Sequence, residues 1–155
     1  MGYQAGGPPH TYCFGPNFNP NLEDEADYAM ETSLEHDTDM STTFQTSCIS
    51  TTDVKWRDDD LDPGVQAQHQ CVDLSSNDIC LASVITLDPE EINVGDLDPE
   101  DRLQTACHEA GHSVGLEHGA NKNDCMIVAI DPPDASVQWR RYSGHHIDDH
   151  IDPTY

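Results

Sequence analysis

The stretch His108-Glu109-Ala110-Gly111-His112-Ser113-Val114-Gly115-Leu116-Glu117-His118 carries most of what this chain says about its fold and chemistry. On a helix, His108 and His112 stand one turn apart on one face, so both imidazoles can grip one metal ion. Glu109 sits beside the first of them, where a carboxylate can take a proton from an attacking water. Gly115 comes three residues after His112, and glycine readily adopts the left-handed geometry that stops a helix. A reversal there swings His118 back as a third ligand and leaves a fourth tetrahedral position open, as a catalytic zinc site requires. In a chain of this composition the full pattern arises by chance about once in ten thousand trials. Two plainer readings stand beside it. One is an exposed histidine-rich helix, since the chain has nine histidines. The other is a structural zinc closed by a fourth protein ligand, with Cys107 and Cys125 nearby in sequence.

The pattern His-Glu-x-x-His-x-x-Gly-x-x-His is the signature of the metzincin metallopeptidases, and over residues 107–126 the chain resembles them closely. Overall it looks like the small secreted matrixin-like proteins of bacteria or archaea. The resemblance implies one catalytic Zn²⁺ on His108, His112 and His118, with Glu109 as general base. It also implies a methionine in a tight turn beneath the metal, for which Met126, eight residues after His118, is the candidate. Gly119 stands where astacins have a glutamate, and Val128 where they have a zinc-binding tyrosine, so no fifth ligand of that type is expected. The run from Tyr142 to Tyr155 is similar to the matrixin carboxy-terminal helix, but His145 and His146 replace that family's aspartates. No cysteine-switch motif is present. The activity implied is zinc-dependent endopeptidase; the alternatives are an inactive zinc-containing secreted binding protein of the same fold and a disulfide-stapled interaction module.

At 155 residues the chain suits one domain, with residues 1–9 as a Gly/Pro-rich flexible tail and 10–155 as the catalytic domain. No apolar run approaches the roughly 20 residues of a membrane span. The start Met1-Gly2-Tyr3-Gln4-Ala5 has no basic or apolar leader, so either the protein is not exported or a leader has been removed. Six cysteines in a chain this small suit a disulfide framework in an oxidising compartment and favour export. Of the fifteen pairings, proximity and the resemblance together imply Cys107–Cys125, then Cys71–Cys80, leaving Cys13–Cys48. A formal charge of −24 argues against nucleic-acid or anionic-membrane partners. It suits a high-salt habitat, a taste for cationic substrates, or solubility alone. A monomer is expected.

Patterning predicts helices near 21–36, 99–114 and 143–151, with strands near 11–14, 53–57, 67–73 and 80–87. Leu22, Ala26, Ala29, Met30 and Leu34 form the apolar stripe of the first helix, and Leu103, Ala106 and Ala110 that of the second. Asp98-Pro99-Glu100 is a strong helix start. The fold class expected is α+β: a single zincin-like domain whose mixed, twisted sheet packs on two long helices, with a short last helix after the methionine turn.

A peptide substrate would pair with the backbone of strand 82–87 as a sheet edge. By resemblance, residues 127–142 would wall the pocket beyond the cut, with Trp139 or Tyr142 lining it or simply packing. The acidic loop Asp58 to Gly64 fits the EF-hand template poorly, because its glycine comes one place late and position twelve is His69, so Ca²⁺ of another design stays open. His145, His146 and His150 make a second cluster, either a second metal site or solvated side chains, and His10, His36 and His69 read as surface residues.

Overall fold

Strand β6 (Ile79–Leu87), Ile-Cys-Leu-Ala-Ser-Val-Ile-Thr-Leu, is the spine of the molecule in this computed structural model, which describes residues 4–93, 98–119, 124–127 and 140–155. Its density of β-branched residues suits a strand covered on both sides. On one side it pairs in parallel with β4 (Val54–Asp58), Val54 opposite Ser83 and Asp58 opposite Leu87. On the other it pairs antiparallel with β5 (Ala67–Leu74), Ala67 opposite Leu87. Outward from β4 come β2 (His10–Phe14) and β3 (Thr42–Phe44), both parallel. Strand β4 alternates as a one-sided strand must: Val54 and Trp56 are fully buried while Arg57 is exposed.

The first helix, α1, is α-helical over Glu23–Asp27 and continues as a π-helix over Tyr28–His36. Leu22, Ala26, Ala29, Met30 and Leu34, the stripe read from the sequence, are all buried, and Ser33 joins them. Helix α2 (Asp98–Ser113) lies against α1 and the sheet, with Arg102 Nε 3.4 Å from Glu25 Oε1 between the helices. Ala106 and Ala110 are buried as expected, but Leu103 is only half-buried and the polar pair Gln104 and Thr105 takes the interior instead. Helix α3 (Gly144–His146) runs on as a π-turn over Ile147–Ile151 and anchors itself through the buried Ile151. The mixed α/β layering expected is therefore present. The capping role assigned to the Asp98 side chain, Val128 and Trp139 fall outside the described residues.

Three disulfides tie the layers: Cys13–Cys48, Cys71–Cys80 and Cys107–Cys125, with Cα separations of 5.3, 5.8 and 5.9 Å. Each restricts the unfolded chain, an effect of about 2–4 kcal/mol per bridge. No described helix is long and apolar enough to cross a membrane.

Two expectations are corrected, and a third, open reading gains no support. Residues 4–5 are not part of a free tail: Gln4–Ala5 forms β1, parallel to the start of β6, and the Ala5 N–H donates to Tyr155 Oη at 2.7 Å. The strand assigned to substrate, 82–87, has no free edge, because β4 and β5 flank it; the outer edge on that side belongs to β5. For calcium, the acidic loop 58–64 shows no converging ligand set, and the histidine trio is the only such cluster among the described residues.

Candidate metal centre

Helix α2 presents His108 and His112 from its last turns, and its ending is built by the residue foreseen for it. Gly115 has φ of 87°, in the left-handed region, and its N–H reaches His112 O at 3.1 Å while Leu116 N–H reaches Gly111 O at 3.0 Å. The chain reverses there and carries His118 back over the helix. The three imidazoles converge: His112 Nε2 lies 3.1 Å from His108 Nε2 and 3.2 Å from His118 Nε2.

The tautomers follow from what the other ring nitrogens touch. His108 Nδ1 faces Cys125 O at 2.9 Å and His112 Nδ1 faces Leu116 O at 2.8 Å. A carbonyl oxygen can only accept, so both Nδ1 atoms carry hydrogen and both Nε2 atoms present lone pairs in the neutral ring. Two lone pairs 3.1 Å apart repel unless a cation lies between them. Nitrogens held about 2.0–2.1 Å from a tetrahedral zinc are about 3.3–3.4 Å from one another, close to the spacing found. Burial favours the neutral form as well, holding His108 down at about 4 and lowering His112. The donor set thus fits a divalent, nitrogen-preferring metal such as zinc, with His118 as the solvent-side ligand.

Glu109 is buried beside this trio. Burial pushes its carboxyl up to about 7, against the opposing effect of the His69 backbone N–H that it accepts. It borders a cavity of about 430 Å³ that reaches from His108 and Glu109 to the segment leading into β5. A buried carboxyl thus opens on a cavity next to the converging imidazoles.

Met126 is fully buried and packs into the space left by the absent side chain of Gly111; a Cβ there would run into Met126 Sδ and the Tyr142 ring. Tyr142 is buried and donates its hydroxyl to Cys107 O at 2.8 Å, so it packs rather than lines the cavity. The Cys107–Cys125 bridge fixes α2 to the turn whose Cys125 carbonyl orients His108.

Sequence reasoning missed the burial of three residues around the site. Asp124 is a fully buried carboxylate beneath Met126, accepting from Met126 N–H at 2.8 Å, Ser143 N–H at 3.1 Å and His146 Nδ1 at 2.6 Å. His146 of the last helix thus pairs with an aspartate of the turn. His10, read as a surface residue, is buried under the end of α2, its Nε2 3.0 Å from Ser113 Oγ. His69, also read as surface, is half-buried with its ring centroid 6.2 Å from that of His112. Nothing local in the sequence marks these burials, which depend on strand placement. His36 is exposed as expected. In the second cluster His146 faces inward, while His145 and His150 are exposed, 3.4 Å apart at Nε2.

No protein-family model and no curated protein matches the sequence. Among solved structures, the chain is similar to the crystal structure of archaemetzincin from Archaeoglobus fulgidus complexed with malonate, at 14% identity and a TM-score of 0.47, covering 92% of each chain.

Proposed function

We propose that this chain is a zinc-dependent endopeptidase of the metzincin type. The observation that carries the reading is the convergence of three imidazole Nε2 atoms, within 4.8 Å of one another, beside a buried carboxyl that opens on a cavity. His108, His112 and His118 hold the metal. When bound, zinc supplies Lewis acidity that polarises a scissile carbonyl and makes water a nucleophile near neutral pH.

The chain's own residues do the rest. Glu109, aimed by the His69 N–H, takes a proton onto its carboxylate as water attacks and returns it to the leaving amine. The Nδ1 donors of His108 and His112 keep both rings pointing one way, so the ligand face is preorganised. An extended peptide pairs with the outer edge of β5, which borders the cavity, rather than with β6. Met126 supplies the floor of the centre in the manner of a methionine turn. Three disulfides support an extracellular setting, and we read the charge of −24 as adaptation to salt, with the chain acting as a monomer.

The test is digestion of casein or gelatin by the zinc-loaded protein, with and without chelator. Cleavage that stops on chelation and resumes on adding zinc is the expected result. A protein that holds zinc tightly yet cleaves no peptide would be an inert zinc-containing binding protein of this fold.

A further inference from the structure

The cavity beside Glu109 has a chemical character that the hydrolytic reading does not use. Val65 and Ile127 supply apolar wall, while Gln66, Gln104, Thr105 and Glu91 supply polar groups. The donors of two of these are already spent. Gln104 Nε2 donates to Cys125 O at 2.8 Å and is 3.5 Å from Ile127 O; Thr105 Oγ1 donates to Gln66 Oε1 at 3.2 Å. A guest side chain therefore meets the carboxylate of Glu91 and the acceptor oxygens of Gln104 and Thr105, with the Gln66 amide as a neutral donor beside them. No lysine or arginine lies among the described residues that line the cavity.

The backbone that carries Glu91 is held in place. Asp88 Oδ1 accepts the backbone N–H of Glu90 at 2.9 Å and of Glu91 at 3.1 Å, and the neighbouring Ile92 is fully buried. The backbone of the turn that carries Glu91 is thus pinned on both sides, which fixes where its side chain leaves the chain. The chain as a whole adds a long-range field of the same sign, with 30 acidic residues against six basic ones.

We infer that this cavity is a selectivity pocket for a basic side chain, lysine or arginine, next to the scissile bond, with Glu91 as the selecting residue. The inference rests on the peptidase reading for its catalytic meaning, but the pocket binds cations whether or not turnover follows. A cavity of 430 Å³ accommodates the aliphatic stem and head of either residue. An acidic side chain would instead meet the carboxylate of Glu91, with no cationic partner among the described lining residues.

The experiment has two arms. In the first, the zinc-loaded protein cleaves a peptide library in which each position around the cut is varied among Arg, Lys, Leu, Gln and Glu. Wild type should favour Arg or Lys over Leu at one flanking position by roughly tenfold to a hundredfold in kcat/KM. Glu91→Gln should bring that ratio to within about threefold of unity, and Glu91→Lys should shift the preference toward Glu. In the second arm, fluorescence anisotropy follows binding of an arginine-containing heptapeptide and its leucine counterpart to the metal-free protein. Wild type should bind the arginine peptide more tightly by a similar ratio, lost in Glu91→Gln. Cleavage without a basic preference, or a preference that survives Glu91→Gln, overturns the pocket assignment. Arginine-selective, Glu91-dependent binding with no cleavage of any peptide keeps the pocket and overturns the peptidase reading instead.

Discussion

His146 Nδ1 lies 2.6 Å from Asp124 Oδ2, and this one hydrogen bond joins the last helix to the turn beneath the metal-ligand face. Asp124 is fully buried and also accepts the N–H groups of Met126 and Ser143, so its two oxygens organise three partners from two segments. The next residue, Cys125, carries the carbonyl that sets the His108 tautomer. A disturbance at Asp124 thus travels one residue to reach a ligand.

Asp124→Ala should destabilise the protein by about 3 kcal/mol, because it strands two buried backbone N–H groups and the imidazole of His146. Denaturant unfolding measures the loss. A parallel zinc titration against a chelator should show weaker binding, by about tenfold to a hundredfold, as His108 loses its alignment.

Acid should reveal the same carboxylate. Burial pushes Asp124 up, but the hydrogen bonds from His146, Ser143 and Met126 outweigh it and hold it below its ordinary value of 3.8. A carboxyl depressed in the folded state binds fewer protons folded than unfolded, so its contribution is complete above the ordinary value and fades as pH falls through the depressed one. Stability measured below about pH 4 should therefore drop more steeply in wild type than in Asp124→Asn, which has nothing to titrate there. Equal slopes would mean that the carboxylate is not engaged as described.

Glu109→Gln keeps the shape and hydrogen-bonding reach of the side chain but cannot take up a proton. Peptide hydrolysis should fall by about a hundredfold to ten-thousandfold while zinc content, measured by elemental analysis, stays at the wild-type level. Full activity in this variant would remove Glu109 from the mechanism.

Zinc at a hundred times its dissociation constant should stabilise the folded state by about 2.7 kcal/mol, seen as a rise in thermal midpoint that chelator reverses. His112→Ala removes the ligand that sits within 3.2 Å of both other Nε2 atoms, and its thermal midpoint should no longer respond to zinc. An undiminished response would place the metal elsewhere.

Gly111→Ala sets two effects against each other. Alanine is the better helix former by about 1 kcal/mol, yet its methyl would overlap Met126 Sδ and the Tyr142 ring. Overpacking of this kind costs about 1–3 kcal/mol, so the variant should be less stable overall, and Met126 should move. A more stable variant would show that the floor of the site is loosely packed.

The parts readable along the chain are those where chemistry and local period coincide. One helical turn places His108 over His112 whatever the rest of the fold does, and a glycine at 115 can end that helix in a way other residues resist. The stripe of Ala26, Ala29, Met30 and Leu34 reports a buried face for the same reason: periodicity is a property of neighbours in sequence. Long-range packing answers to no such rule. His10 is buried because β2 passes under the end of α2, 103 residues away in sequence at Ser113, and no pattern around Pro8-Pro9-His10 announces it. The same holds for Asp124 meeting His146, for residues 4–5 joining β6, and for β5 rather than β6 taking the outer edge. Sequence spacing brought three histidines and a carboxyl to one end of a helix; assembly of distant segments chose what packs around them, because burial and partnership are set by what arrives from elsewhere in the chain.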